Sequence, residues 1–188
     1  MRAAVLALMA SVTPGHAVAQ QIEVPAELQY TLLIKTLTFD RNLEQRVGAE
    51  LVIGLVYQTG FIPSRDFARS MIAAVAASPI HSINGIPIRF EQIELSDVGT
   101  LGRTLRERGV DIAYLAPLRA VSLDRVLAEA RQAGASTAAA VAGQVDEGVA
   151  MGIGLRGGKP HIRINLTAAK SERSDFDASL LALAEVVR

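Results

Sequence analysis

A three-layer α/β domain, with a mixed, mostly parallel sheet, a C-terminal β-hairpin and a terminal helix, is the fold this sequence predicts, and three observations predict it. The run ELVIGLVY at residues 50–57 is short, continuous and apolar, and Gly48 and Gly60 bound it. Such a run suits a strand buried on both faces at the centre of a parallel sheet. From there to about residue 142, segments with strand character and segments with helical periodicity follow one another, the order of repeated βαβ units. Arg156-Gly157-Gly158-Lys159 then separates two strand-like runs, residues 149–155 and 161–166, and its glycines can take positive φ in a tight hairpin turn.

Each element has its own local justification. Leu28, Leu32, Leu33, Leu37 and Phe39 recur at near-helical spacing after Pro25, which predicts a helix over residues 26–39 packed by one face. Ser64 follows Pro63 and precedes Phe67, Met71, Ile72 and Val75, so it is the expected N-cap of a helix that stops before Pro79. Residues 86–95 alternate Ile86, Ile88 and Phe90 with Pro87, Arg89 and Glu91, a half-buried strand. Pro87 cannot donate to a ladder, which places that strand near an edge. Ser96 or Asp97 can cap a helix running to Arg108, with Gly109 as its C′ residue. Residues 111–116 predict a strand stopped by Pro117.

Leu123, Val126, Leu127 and Ala130 mark another amphipathic helix, closed by Gly134. Residues 136–142 are a weaker strand candidate, because alanine fits a pleated sheet poorly. Phe176, Leu180, Leu183 and Val187 fall on one helical face, with Ser174 and Asp177 spaced as a capping box, so the terminal helix is expected there.

The N-terminus reads as an address. Arg2, the apolar stretch at residues 3–12, Pro14-Gly15 and Ala17-Val18-Ala19 give a charged region, a hydrophobic region and an A-x-A cleavage site in that order. Residues 1–19 are therefore expected to be a cleaved signal peptide, leaving residues 20–188 as one exported domain. The apolar run is too short to anchor, since a spanning helix needs about 20 residues. No later run approaches that length, and a soluble mature chain is expected.

Composition removes several functions. The formal charge is zero, and losing Arg2 leaves the remainder about one unit negative, so nucleic acid and anionic membrane surfaces are not expected partners. Tryptophan is absent and aromatics are 4% of the chain, too few for platforms that stack sugars or bases. With no cysteine, disulfides, thiol catalysis and thiolate metal sites are excluded.

The candidate chemistry resolves into structural readings. Gly152-Ile153-Gly154-Leu155-Arg156-Gly157 matches G-x-G-x-x-G letter for letter, but that fingerprint must turn from a strand into a helix, and here a strand follows. Gly152 and Gly154 instead predict a bare strand face that a neighbouring segment approaches closely. His81 and His161 lack a second ligand at metal spacing. Asp146 and Glu147 are adjacent in a turn rather than opposed across a cleft. Ser64 and Ser136 lack a nucleophile elbow. Arg89, Arg119, Arg156 and Arg163 read as surface charges, with an anionic ligand or acidic partner as the sharper alternative. No catalytic, cofactor-binding or metal-binding residue is assigned, and an enzyme is not expected.

The C-terminal residues Lys159 to Lys170 (KPHIRINLTAAK), then Phe176, Ser179-Leu180-Leu181 and Leu183-Ala184, resemble the end of the YfiR family of exported bacterial proteins. There a strand closes in Ile-Asn-Leu, an Ala-Ala-Lys-like segment follows, and then a Ser-x-x-Leu-Leu-x-Leu-Ala helix. The opening helix, the strands near residues 51–57 and 112–116, and Gly148 before the hairpin fall in the family's order across about residues 26–188. The chain departs from it at Thr38-Phe39-Asp40-Arg41-Asn42, where an aromatic-Pro pair is common, and in having none of the cysteines of better-known members.

The resemblance implies a periplasmic regulator that binds the periplasmic domain of an inner-membrane diguanylate cyclase and holds its activity down. For some members an outer-membrane lipoprotein is a second partner that releases it; a homodimer is compatible with the sequence. No cofactor is implied. The alternative is a periplasmic small-molecule or anion binder that uses the carboxyl ends of the strands near Tyr57, Gln58, Pro117 and Arg119, where open α/β sheets place ligands.

Overall fold

The computed structural model describes residues 22–188, so the expected signal peptide lies outside the described residues. The strand predicted as central is β1, Leu51–Tyr57, buried through its first six residues and paired in parallel on both sides. Its partners are β3, Ile86–Glu94, and β4, Ile112–Leu115. Beyond β4 lie β5, Ser136–Ala139, and β6, Met151–Arg156, both parallel to it. β7, Lys159–Asn165, returns antiparallel through the Gly157-Gly158 turn, where both glycines have positive φ. The two-residue β2, Ser82–Ile83, edges β3, and β8, Glu185–Val187, edges β7. The full order is β2-β3-β1-β4-β5-β6-β7-β8.

Strand alternation divides the core into two layers. Leu51, Ile53 and Leu55 of β1 and Ile112 and Tyr114 of β4 point to one face. There they meet α1, Ala26–Leu37, and α3, Ile62–Ala77, with the short C-terminal helices α6, Leu166–Ser171, and α7, Ala178–Leu181. Val52, Val56, Ala113 and Leu115 point to the other face, against α4, Val98–Glu107, and α5, Leu123–Ala133. A single turn, α2, Leu43–Arg46, links α1 to β1. The predicted punctuation holds at Asp97, which accepts from the Gly99 amide, and at Gly109 and Gly134, which take positive φ past the ends of α4 and α5; Ser122, which accepts from Arg125, is a further cap.

Two local expectations change. The terminal helix over residues 176–187 is one turn followed by a strand: α7 stops at Leu181, and Glu185–Val187 pairs in parallel with β7. Val186 and Val187 are β-branched, and their segment pairs with the otherwise open side of β7, which outweighs a helical spacing that four apolar residues share with a turn and a strand. Asp177, rather than Ser174, caps α7 by accepting from Ser179. Ser64 is not an N-cap either: α3 starts at Ile62 with Pro63 in its first turn, where a missing N–H costs nothing. The Ser64 hydroxyl instead accepts from the Gln58 amide at 2.9 Å.

The glycine strand behaves as its sequence suggests. A 3₁₀ turn, Ala142–Val145, lies on the bare face of β6. A Cβ added at Gly152 would come within 2.8 Å of Val145 Cγ2, and one at Gly154 within 2.8 Å of Ala142 Cβ. The glycines are notches for that turn, in a hairpin and not in a strand-to-helix phosphate loop.

Candidate functional site

The order β3-β1-β4 creates one topological switch. The chain leaves β1 through α3 on one face to reach β3, then crosses over β1 through α4 on the other face to reach β4. Loops that depart to opposite faces open a crevice at the carboxyl ends of the strands. Here it is a cleft of about 440 Å³ lined by the β1–α3 loop (Gln58, Thr59, Gly60, Phe61), the β3–α4 loop (Glu94, Leu95, Ser96) and the β4–α5 loop (Arg119, Ala120). Gln58 and Arg119 are thus brought together as the sequence suggested, whereas Tyr57 and Pro117 do not line the cleft.

Hydrogen bonds fix the three loops to one another. The Gln58 side chain donates to the Arg119 carbonyl at 3.2 Å and accepts from the Arg119 amide at 2.8 Å, pairing with the backbone as a neighbouring strand would. Thr59 Oγ1 donates to Glu94 Oε1 at 2.6 Å, and the Leu95 amide donates to the Tyr57 carbonyl at 2.7 Å. The guanidinium carbon of Arg119 lies 6.0 Å from the Phe61 ring centroid. Ala120, next in the chain, has φ +57°, a left-handed conformation that a residue with a Cβ adopts at a cost.

The remaining singled-out residues serve other ends. Arg89 pairs with Glu50 at 2.7 Å and with Glu91. Arg163 takes Asp146 at 2.9 Å and Glu185 at 2.7 Å, and Arg156 and His161 also meet Glu185. The Arg163 hydrogen bond, helped by that of His161 and by the charges of Arg163 and Arg156, holds the Glu185 carboxyl below its ordinary range. These contacts also clasp β8 to the hairpin, so Asp146 belongs to an ion-pair network rather than to an acid/base pair. Glu147 and His81 are exposed. Ser136 is buried and accepts from Arg46 at 2.7 Å, in a cluster at the opposite, amino end of the sheet.

That amino-end cluster was not visible in the sequence. Asp40, with a fully buried side chain, accepts from Arg46 at 2.5 Å and from the Asp175 amide at 2.9 Å. Glu172 is equally buried; it accepts from the Thr137 amide at 2.7 Å, the Thr137 hydroxyl and Arg131 Nε at 3.1 Å. Burial still pushes the Glu172 carboxyl above its ordinary range. On sequence alone Glu172 sits in the polar stretch Lys170 to Ser174, which reads as an exposed loop. Among the described residues no group of three or more His, Asp or Glu is arranged to hold a metal, and no helix is long and apolar enough to cross a membrane.

Solved structures share this fold at low identity. The ABC domain in complex with L-Trp from Streptococcus pneumoniae superposes with a TM-score of 0.58 at 12% identity, over 87% of this chain and 62% of that one. A conserved domain protein from Vibrio cholerae gives 0.56 at 17% identity, over 87% and 60%. A substrate binding protein with adhesive properties from Clostridium difficile, in its ligand-free, open form, gives 0.51 at 14%, over 78% and 57%. The chain spans about three fifths of the length of these proteins, and the likeness is one of fold. No curated protein matches the chain. The YfiR/HmsC-like family matches residues 58–185, a span that runs from the first loop of the cleft to the strand clasped by Arg163. The C-terminal pattern, the sheet that carries it and this match agree: the chain belongs to the YfiR/HmsC-like family.

Proposed function

We propose that residues 20–188, exported and freed of the signal peptide, act in the periplasm as a regulatory binding protein. In this reading the domain holds down an inner-membrane diguanylate cyclase by occupying the cyclase's periplasmic part, and an outer-membrane lipoprotein competes for it. Membership of the YfiR/HmsC-like family over residues 58–185 is the observation that carries the reading. The architecture supports it. Inhibition by occupancy needs a surface that keeps its shape, and both sheet faces are covered while partly or fully buried ion pairs join Asp40 to Arg46, Glu172 to Arg131 and Glu185 to Arg163. Three side chains with nucleophilic or acid/base potential are engaged in that scaffold: Ser64 with the Gln58 amide, Ser136 with Arg46, and His161 with Glu185.

Deleting the gene in a strain that retains the cyclase should raise cellular cyclic di-GMP and biofilm, and the purified domain should bind the cyclase's isolated periplasmic domain. Unchanged cyclic di-GMP together with no binding would overturn the proposal.

A further inference from the structure

We propose that the cleft at the carboxyl ends of β1, β3 and β4 is a binding site for a compact organic monocarboxylate. The inference stands apart from the regulatory reading, because a variant blind to carboxylates could still occupy a cyclase.

Position and rigidity come first. The cleft lies at the switch point of the sheet, and its three loops are hydrogen-bonded to one another before any ligand arrives. A rim held this way loses little freedom on binding. At about 440 Å³ the cleft falls within the range of small-molecule sites, roughly 300–1,000 Å³.

Arg119 supplies the charge. Arg89, Arg156 and Arg163 each have a carboxylate within ion-pair distance, whereas Arg119 has none among the described residues. Its guanidinium lies over Phe61, and the Gln58 amide grips its backbone on both sides. With no carboxylate partner among the described residues, that guanidinium is left to offer its planar fork to the two oxygens of a carboxylate. The sixteen-residue α3 starts in the same loop without a side-chain cap on its first turn, which adds partial positive charge on the same side.

Glu94 narrows the ligand class. It lines the cleft beside Leu95, oriented by Thr59, and it opposes a second negative group. Dicarboxylates and phosphates would meet it; a single carboxylate with an uncharged body would not. Phe61 and Leu95 offer that body an apolar wall.

Thermal-shift and calorimetric titrations of the mature domain with benzoate, lactate, succinate and inorganic phosphate test this. At least one of the two monocarboxylates should give a saturable rise in Tm, and succinate and phosphate should not. Arg119→Ala, at an exposed position, should keep the ligand-free Tm and lower monocarboxylate affinity by roughly tenfold to a hundredfold, the worth of hydrogen bonds to a charged group. Glu94→Gln should admit succinate, a gain that misfolding cannot produce. No rise with either monocarboxylate, a rise kept by Arg119→Ala, a preference for phosphate, or unchanged rejection of succinate in Glu94→Gln would each overturn the proposal.

Discussion

Gly154→Ala is the sharpest test of the reading that the G-x-G-x-x-G stretch is a packing device. The added Cβ would stand 2.8 Å from Ala142 Cβ and 3.6 Å from His161 Cε1, whereas ordinary contact between such carbons begins near 3.4 Å. Ala142 opens the 3₁₀ turn, and its Cβ cannot rotate away, so the overlap must be relieved by moving backbone. Overpacking of one methyl group costs about 1–3 kcal/mol. The entropy recovered by replacing glycine in a strand offsets about 0.5–1 kcal/mol of that. The central values of the two ranges leave a net loss of about 1 kcal/mol, or roughly 2–4 °C in Tm for a domain of this size.

Urea denaturation of the single variants and of Gly154→Ala with Ala142→Gly closes a double-mutant cycle. Removing the opposing Cβ removes the overlap, so the double variant should recover about 1 kcal/mol beyond additivity. A neutral or stabilising Gly154→Ala, or strictly additive losses, would refute the notch. If the glycines cradled a dinucleotide instead, Gly154→Ala would abolish nucleotide binding while sparing stability.

Three further outcomes follow from the core and the network. Tyr114→Phe should cost about 1–3 kcal/mol in chemical denaturation, because the fully buried hydroxyl donates to Gln29 Oε1 and its loss strands that acceptor. Glu172 has a folded-state pKa raised by burial, so its favourable contribution is complete below the ordinary glutamate value of 4.5 and is lost as pH rises through the higher folded value. Stability measured against pH should therefore fall across that window in the wild type and fall less in Glu172→Gln. Glu185 is shifted the other way, so its contribution is present above 4.5 and lost as pH falls through the lowered folded value. Glu185→Gln should remove that acid-side loss and leave the C-terminal strand more open to carboxypeptidase.

The elements that were legible in the sequence carry their own boundaries. β1 announces itself by an uninterrupted apolar run, α4 by Asp97 and Gly109, α5 by its apolar spacing and Gly134, and the hairpin by Gly157-Gly158. β8 does not, because Glu185–Val187 becomes a strand only when β7 lies beside it and Arg163 reaches Glu185. The cleft divides in the same way. Gln58 and Arg119 follow from knowing where strands end, but Thr59, Phe61 and Glu94 join them only because β1 sits between β3 and β4. Strand order is a long-range outcome with no local trace. Glu172 is hidden for a related reason: its burial depends on α6 closing over the amino ends of β5 and β6.

The two ends of the sheet use charge in opposite ways, which locates recognition in the molecule. At the amino end Asp40 pairs with Arg46 and Glu172 with Arg131, and the Asp111 carboxylate accepts from the Val52 amide at 2.8 Å. Charges neutralised and desolvated in this way stabilise one arrangement of the chain and present little field to an outside molecule. At the carboxyl end the ordering is done by Gln58 and Thr59, which leaves Arg119 exposed without a carboxylate partner among the described residues. Substitutions at the amino end should accordingly lower stability at unchanged ligand affinity, and substitutions of Arg119 or Glu94 should do the reverse. Measured on the same variants, that separation distinguishes a scaffold carrying one recognition site from a surface whose charges are interchangeable.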